Sequence, residues 1–453
     1  FYARIALNLA TTGQASFDGI HTTSGFHLLW EGILASVAYV VATWTADPHV
    51  HMGAFLALSL FLILLLSTEF ARRPHHRLVL ATLALSGHLV LESGLLILLL
   101  LGMTRALERI VAGDRRRAAG ITLVACAGLI PLARIDATPV ALVLLASPAV
   151  AGRWRVVGLG LVAVIAGVVL QLGLMLALFG EPWSVSSMLR GYALTRYGSP
   201  PVLFNFVTYG AGLSARSVLV TAMGAAALAL AWRHRQLPRN SPLLWLAAGL
   251  ALFTGMHLIL SHMRYWYFVP GLVGFGYVLV RLELPVGTSR GLRALALLGL
   301  AALSLVYLGN KGRRMLALAD AQDETWSFVE GIADHVPPGE AIYQVDGSGR
   351  TGFFSGRSVV NGDGLVNDRR YAQRMMNGDL AGYLDEEGIC YLIVNRPDER
   401  DPLVDLGGLV VTRAEVDELA RSGATGRSKQ VNYTLFRRRA GGCSPPEGAE
   451  DVP

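Results

Sequence analysis

Charged residues are scarce in this sequence. Asp, Glu, Lys and Arg make up 16% of the 453 residues, hydrophobic residues make up 53%, and the mean hydropathy is +0.46. Soluble domains have about 25% charged residues. The composition therefore excludes an ordinary soluble multidomain protein and predicts a membrane protein with several spans. Cysteine is also rare, with only Cys126, Cys390 and Cys443, which excludes a disulfide scaffold.

Other signals are missing as well. No G-x-x-x-x-G-K-[ST] motif occurs, so ATP-driven transport by this chain is not expected. Residues 347–352 match G-x-G-x-x-G, but a dinucleotide site needs a helix directly after the loop, and residues 353–360 predict a turn and a strand. The net charge of +6 comes from arginines between apolar runs, so no nucleic-acid partner is expected. The chain begins at Phe1 without Met or leader, and we expect an upstream part with a further span.

Apolar runs of spanning length extend from about residue 26 to residue 308, and a different texture follows Asn310. Because a bilayer core needs about 20 apolar residues per helix, we predict spans near 52–70, 78–92, 94–111, 118–132, 137–151, 156–179, 216–232, 242–261, 266–281 and 292–308. After Asn310, β-type runs at 341–345, 358–361 and 390–394 alternate with helical patterns at 379–387 and 412–421. This alternation predicts a small α/β domain.

The fold class predicted is mainly α: a polytopic transmembrane helical bundle, with about ten spans in this chain, and a C-terminal α/β domain on the outer face. Four parts are expected. They are a first outer loop with juxtamembrane helices (1–51), the bundle (52–309), the α/β domain (310–440) and a flexible tail (441–453).

Arginine is distributed unevenly between the loops, which predicts the orientation in the membrane. Alternate loops are rich in arginine, for example at 72–77, 105–117 and 233–239, and positive loops remain in the cytoplasm. The segments expected on the outer side are 1–51, 133–136, 180–215, 262–265 and everything after 309. Residues 26–44 are apolar enough to span, but a span there would put the arginines at 72–77 outside. We therefore favour a helix at the outer face, with an ordinary span as the alternative.

Polar residues inside or at the rim of an apolar bundle are costly and are functional candidates by default. Several lie on the predicted outer side: Glu92, Arg134, Asp136, Arg190, Tyr192, Arg196, Tyr197, His262, Arg264, Tyr265 and Tyr267. Together they predict one outward-facing cavity with carboxylates, guanidinium groups and aromatic rings. Arg134 and Asp136 have the alternative of pairing with each other at a turn, and His262, Tyr265 and Tyr267 that of an interfacial aromatic belt. Glu92 has no basic residue within four positions except His88, which favours a functional role.

Two N-terminal segments carry a resemblance to a known family. Residues 2–10 (YARIALNLA) and 16–30 (SFDGIHTTSGFHLLW) resemble the first outer loop of polytopic GT-C glycosyltransferases, a group that includes protein mannosyltransferase-like and aminoarabinose transferase-like enzymes. Bacterial members show A-R-N and then F-D-G-x-x-P-T-N-G-F-H-P-L-W. This sequence departs from that pattern at Thr22, Ser24 and Leu28.

Later segments extend the resemblance. Residues 132–137 (LARIDA) look like the family's L-T-R-x-D-x turn, 264–270 (RYWYFVP) like its R-Y-x-x-P segment, and 352–367 (GFFSGRSVVNGDGLVN) like the run after its last span. Glu92 is similar to the family's second acidic residue, although Ser93-Gly94 after it departs from the usual S-G-M-E-T order.

The resemblance implies an inverting transfer of a sugar from a polyprenyl-phosphate-linked donor to a lipid, glycan or protein acceptor. It implies a site on the outer side of a bacterial cytoplasmic membrane. It places Glu92 as an acidic catalytic residue, with the main base expected upstream of Phe1. The substrate-binding residues expected are Tyr2, Arg4, Asp18, His27, Arg134, Asp136, Arg196, Tyr197, His262, Arg264 and Tyr265, of which Arg134, His262 and Arg264 would hold the leaving phosphate. No motif requires a metal or other cofactor, and a divalent cation stays possible.

Two other classes of function fit the same cavity. One is a transporter or flippase for a lipid-linked glycan, although no internal repeat is evident in the sequence. The other is a non-enzymatic envelope assembly protein that uses the α/β domain as its binding module.

Overall fold

The protein is described from a computed structural model, which covers residues 1–70, 92–113, 117–150, 152–189, 241–260, 267–281, 319–344, 347–395, 397, 402–422, 433–439 and 443. This part of the chain is mostly helical and ends in a small α/β domain. The described helices before that domain are α1 (Tyr2–Thr12), α2 (Leu28–Ala42), α3 (Pro48–Phe70), α4 (Ser93–Val111), α5 (Arg117–Ala133), α6 (Thr138–Leu145), α7 (Trp154–Phe179), α8 (Pro242–Leu260) and α9 (Phe268–Arg281).

Among the described helices, two are long and apolar enough to cross a membrane, α3 and α7. At about 1.5 Å per residue they measure about 34 and 39 Å, against about 30 Å for a hydrocarbon core. The span predicted over 137–151 is wrong as a single helix, because α6 ends at Leu145 and a 3₁₀ turn at Pro148–Val150 follows. The predicted spans at 216–232 and 292–308, and most of 78–92, lie outside the described residues. A bundle of ten spans stays a prediction.

In helix α7 the buried residues are mostly small and the exposed residues are large and apolar, which is the reverse of the pattern in a helix of a soluble protein. Its buried residues follow a spacing of three or four positions and are mostly small: Gly160, Val164, Gly167, Gln171 and Met175. Its exposed face is formed by large apolar side chains: Leu159, Leu161, Val162, Ile165, Val169, Leu170, Leu174, Leu176 and Leu178. An apolar surface of this extent requires a cover that is not water.

Small residues allow α7 to pack closely on α5. A Cβ atom on Gly167 would lie 2.2 Å from the carbonyl oxygen of Gly128, which is closer than two such atoms approach. Close backbone contact at glycine is typical of helix packing in membranes, where apolar burial gives little driving force between helices. The core of the helical body is formed by α4, α5, α6, α8 and α9.

Helix α2 occupies the segment that we expected at the outer face. Its 15 residues measure about 22 Å, which is shorter than a bilayer core. One side of α2 packs against α1 through a cluster of buried side chains, namely Ala3, Ala6, Trp30, Leu34, Ala35 and Ala38.

The C-terminal domain has a five-stranded sheet with the order β2-β1-β3-β7-β6. Its elements are α10 (Ala319–His335), β1 (Ala341–Gln344), α11 (Ser348–Phe354), β2 (Ser358–Asn361), α12 (Arg369–Met376), α13 (Leu380–Glu386), β3 (Tyr391–Asn395), β4 (Val404–Leu406), β5 (Leu409–Val411), β6 (Val416–Arg421) and β7 (Tyr433–Arg438). Strands β1, β2 and β3 are parallel, whereas β7 is antiparallel to both β3 and β6. The predicted strands near 341–345, 358–361 and 390–394 and the helix near 379–387 are confirmed.

The helix predicted over 412–421 is wrong. A 3₁₀ turn at Arg413–Glu415 is followed by β6. The residues of β6 have ordinary helix propensity, but β7 pairs with β6 on both sides of an irregularity between Glu418 and Ala420. This tertiary pairing overrides local propensity.

The local structure predicted after Gly347 is also wrong in part. Helix α11 begins directly after Gly347, and a turn and β2 come only after Phe354. Since a helix does follow Gly347, the predicted absence of one no longer excludes a dinucleotide site. A different observation applies: a Cβ atom on Gly347 would lie 2.6 Å from the hydroxyl oxygen of Tyr433, so a side chain of β7 occupies the space beside this glycine.

The loop at 13–27 is docked on the α/β domain. The Thr23 hydroxyl donates to the carbonyl oxygen of Asn367 at 3.0 Å, and a Cβ atom on Gly25 would lie 1.8 Å from the carbonyl oxygen of Leu365. A small apolar cluster adds to this contact and is formed by Ile5, Phe17, Phe26 and Val366. The segment 352–367, which carries the family-like run, therefore contacts the segment 16–30, which carries another part of the resemblance.

A disulfide joins Cys390, directly before β3, to Cys443. Composition alone did not predict it. Cys126 in α5 is a free and buried thiol.

Candidate functional site

Arg134 is held between two carboxylates at one end of the helical body. Its Nη1 donates to Oε1 of Glu92 at 2.9 Å, while Nε and Nη2 donate to Oδ1 and Oδ2 of Asp136 at 3.0 and 2.6 Å. The Arg134 side chain is 1% exposed. The two carboxylates come from different helix ends, because Glu92 directly precedes α4 and Asp136 lies in the 3₁₀ turn after α5.

The backbone after α5 explains why this arginine reaches both partners. Pro131 lies in the last turn of α5, and Arg134 leaves the helix with an extended backbone at φ −161°. Asp136 then follows two residues later in the 3₁₀ turn. A bidentate pair of guanidinium and carboxylate has fixed planar geometry. The pairing with Asp136 therefore leaves Nη1 of Arg134 pointing toward Glu92.

Aromatic rings and a histidine from α8 and α9 complete this side of the cluster. The guanidinium carbon of Arg134 lies 4.9 Å from the ring centroid of Tyr267 and 5.7 Å from that of Phe253. Nε2 of His257 lies 3.0 Å from Oδ2 of Asp136, and its ring stacks on Tyr267 at 4.6 Å. Cation–π contacts of this kind are strongest where water is excluded.

Tyr2 and His27 approach Glu92 from the opposite side. Tyr2 interacts electrostatically with the Glu92 carboxylate and stacks on the His27 ring with 6.4 Å between centroids. Nε2 of His27 lies 3.7 Å from Oε1 of Glu92. The His27 side chain is 28% exposed whereas Glu92 is 3% exposed, so the cluster is accessible from the side of His27.

The electrostatics of the cluster favour a charged Asp136 carboxylate beside a charged Arg134. Burial alone would raise the pKa of Asp136, but Arg134 and His257 hold it well below its usual range. Burial alone would lower the pKa of Arg134, and the carboxylates of Asp136 and Glu92 raise it above its ordinary value. With neutral imidazoles, the formal charges of Glu92, Arg134 and Asp136 add up to −1. Such a cluster can accept a proton, and it does not by itself attract an anion.

Glu31 is a site residue that the sequence analysis missed. It lies in the first turn of α2, is 1% exposed, and neither carboxylate oxygen has a hydrogen-bond partner among the described residues. Burial raises its pKa well above the ordinary value. Glu31 acts electrostatically on Tyr2, as does Glu92, so it borders the same cluster. A carboxylate in the first turn of an apolar helix is the sequence signal that would have found it.

His257 and Phe253 were also missed. His257 lies in an apolar run close to the predicted outer end of a span, and the rule applied to Glu92 would have selected it as well. Tyr267 was expected in the cavity or in an aromatic belt, and it contacts Arg134.

Asp18 and Arg4 have partners other than the residues of the cluster. Oδ1 of Asp18 accepts from Ser16 Oγ and from the backbone N–H groups of Ile20 and His21, so Asp18 organises the turn that carries the loop at 13–27. Arg4 is electrostatically coupled to Asp18. Neither residue contacts Glu92 or Arg134 in a recorded hydrogen bond or ion pair of the described part.

The structure therefore joins five of the expected residues, namely Tyr2, His27, Glu92, Arg134 and Asp136. The pairing of Arg134 with Asp136, one of the two alternatives, is found. Glu92 has no evident partner among its sequence neighbours, and the structure supplies one in Arg134, 42 residues along the chain. Arg4 and Asp18 are not joined to this cluster by a hydrogen bond or ion pair in the described part, and the remaining expected residues lie outside the described part of the chain: Arg190, Tyr192, Arg196, Tyr197, His262, Arg264 and Tyr265. Among the described residues, no group of three or more His, Cys, Asp or Glu side chains is positioned to hold a metal ion.

Comparison with known proteins adds no family assignment. No family model matches the sequence, and no curated protein matches it either. The resemblance to GT-C glycosyltransferases therefore depends on the quoted motifs and on the cluster that they form.

Proposed function

We propose that this chain is a membrane glycosyltransferase that takes a sugar from a polyprenyl-phosphate-linked donor and transfers it to a lipid, glycan or protein acceptor. The observation that carries this proposal is the cluster of Tyr2, His27, Glu92, Arg134 and Asp136. These residues belong to four separate segments of the family-like pattern, and they meet at one point of an apolar helical body.

A multi-span membrane position is part of the proposal. It is supported by α3 and α7, which have the length and the composition of spans, and by the exposed apolar face of α7. Trp154 at the start of α7 and Trp183 just after its end are 73% and 59% exposed. Tryptophan is enriched at both membrane interfaces, and Arg153 and Arg155 next to Trp154 favour the cytoplasmic side for that end.

The outer side is proposed for the α/β domain and for the cluster. The disulfide between Cys390 and Cys443 supports this, because disulfides persist in oxidising compartments and are rare in the cytoplasm. The cluster shares that side with the α/β domain, since the loop at 13–27 contacts both the domain and the helices around the site.

In the proposed reaction the acceptor oxygen forms a bond to the anomeric carbon of the donor sugar. The bond from that carbon to the phosphate oxygen breaks, and its electron pair leaves with the lipid phosphate. The acceptor hydroxyl gives its proton to a carboxylate of the site, which must lie within hydrogen-bond distance. Glu92 is the carboxylate that we propose for this role.

Arg134 has a supporting role in this proposal. Its Nε, Nη1 and Nη2 already donate to Asp136 and Glu92, which orients the Glu92 carboxylate with a charge-assisted bond. The leaving phosphate then requires other cations, and His262 and Arg264 remain the candidates for that task. His27, as the more exposed neighbour of Glu92, is proposed to contact the acceptor or the sugar.

The test is sugar transfer by purified full-length protein supplied with polyprenyl-phosphate sugars, measured as release of the lipid phosphate. Glu92→Gln should abolish release without loss of membrane insertion. Glu418→Gln, the same change at an exposed position of β6, should retain wild-type turnover. Arg264→Ala should also abolish release.

Wild-type turnover by Glu92→Gln would refute the proposed role of Glu92. Transbilayer movement of an intact lipid-linked glycan, with no release of lipid phosphate from any donor, would instead favour the flippase. Binding of envelope glycans without either activity would favour the assembly protein.

A further inference from the structure

A second polar site lies at the opposite end of α4. The last two turns of α4, through Arg105, Glu108, Arg109 and Val111, border a cavity of about 510 Å³ together with the end of α3 and parts of α8 and α9. Arg109 is 17 residues from Glu92, which corresponds to about 25 Å along the helix. The cavity is therefore separate from the cluster around Arg134.

Two arginines of this cavity are fixed by carboxylates and aromatic rings. Nη2 of Arg281 donates to both carboxylate oxygens of Glu108 at 3.0 Å, and its guanidinium carbon lies 5.9 Å from the Tyr277 ring centroid. Nη1 of Arg105 donates to the backbone oxygen and the carboxylate of Glu69, at 2.5 and 3.3 Å. Such contacts hold a guanidinium plane in one orientation.

Donors of two arginines on α4 remain unused. Nε and Nη2 of Arg105 have no recorded partner within the described part of the chain, and the same holds for all the nitrogens of Arg109, whose side chain is exposed. Arg105 and Arg109 are four residues apart and therefore lie on the same face of the helix. The lining contains three arginines and two glutamates, and its net charge is +1.

We propose that this cavity binds the phosphodiester group of an anionic membrane phospholipid, with Arg105 and Arg109 as the principal donors. A phosphodiester carries one negative charge, which matches the net charge of the lining. Arginine binds phosphate oxygens with parallel N–H donors. Basic pockets between membrane helices on the cytoplasmic side are known to bind anionic head groups.

The surroundings favour a lipid over a soluble anion. Phe70, Val111, Pro242 and Tyr277 contribute apolar wall, and Phe70 is the last residue of α3, which has the length and composition of a span. A phospholipid with its head group in this cavity would have its acyl chains beside the exposed apolar residues of α3, including Leu60, Phe61 and Leu64. The proposal requires a membrane position and does not depend on sugar transfer.

The experiment uses full-length protein, purified in detergent and delipidated, with phosphatidylglycerol or phosphatidylcholine added and the bound lipid counted by native mass spectrometry. Phosphatidylglycerol should bind in preference to phosphatidylcholine. Arg109→Gln and Arg105→Gln should each weaken its binding about fivefold, since one arginine near a lipid surface contributes about 1 kcal/mol. Arg439→Gln, at an exposed position far from the cavity, should bind like the wild type.

Arg109→Gln decides the result if Arg105→Gln fails to fold, because Arg109 makes no recorded contact in the described part that the substitution would break. Equal binding of the two lipids, or wild-type binding by Arg109→Gln, would overturn the proposal. Displacement of phosphatidylglycerol by millimolar inorganic phosphate would show a site for a free anion and would also overturn it.

Discussion

His21 connects the loop at 13–27 to the α/β domain and should make their docking dependent on pH. Nδ1 of His21 lies 2.8 Å from Oδ2 of Asp18, and Nε2 lies 3.1 Å from Oε2 of Glu387. Each ring nitrogen thus faces a carboxylate oxygen, and both contacts are hydrogen bonds only when both nitrogens carry protons. The hydrogen bond to Asp18 is the main cause that raises the pKa of His21 to about 9.

The size of the effect follows from the two states of the imidazole. An unperturbed histidine has a pKa of about 6.5, so the shift to about 9 corresponds to up to about 3 kcal/mol. Because the pKa is raised on folding, this stabilisation is fully present below pH 6.5 and is lost as the pH rises through 9. Asp368 strengthens the shift, while Arg370 and Tyr383 also face this contact.

The assay is thermal unfolding of the full-length protein in detergent between pH 6 and pH 10, for the wild type and for His21→Gln. Glutamine cannot be protonated, so the difference in stability should be largest at pH 6 and should shrink toward pH 10. His49→Gln is the matched control, because its ring packs on Trp326 and Phe354. A stability difference between wild type and His21→Gln that stays constant across this range would refute the reasoning.

The remaining predictions concern docking and the disulfide. Gly25→Ala should lower the melting temperature and expose the loop at 13–27 to protease, because its Cβ atom would lie 1.8 Å from the backbone oxygen of Leu365 and such overpacking costs about 1–3 kcal/mol. The control Gly32→Ala, which has open space around it, should be neutral or stabilising. Wild-type protease resistance of Gly25→Ala would contradict this account. Reduction of the Cys390–Cys443 bond, which spans 53 residues, should destabilise the α/β domain by up to about 4 kcal/mol. Titration of denatured, unreduced protein should find one free thiol, and a result of three would contradict the pairing.

Much of the local structure was predictable, because it depends on short patterns. The apolar runs at 52–70 and 156–179 correspond to α3 and α7, and the strand at 358–361 has the expected bounds. The segments 353–354 and 412–421 were predicted wrongly. For 412–421 the reason is that its state depends on a neighbour that is distant in sequence. In β6 the neighbour is β7, which begins 12 residues after β6 ends and supplies the hydrogen bonds that a single segment cannot make for itself.

The candidate site was likewise predictable from the sequence only in part. Composition and the scarcity of polar groups in apolar runs determined that Glu92, Arg134 and Asp136 were worth attention, since burying a charge without a partner is costly. Only the tertiary structure decided which charges compensate each other. It joins Glu92 to Arg134, brings His257 and Tyr267 to the same guanidinium, and leaves the Glu31 carboxylate buried without a recorded hydrogen-bond partner. Ion pairing and burial depend on distances across the fold, and sequence spacing does not encode those distances between residues on different helices.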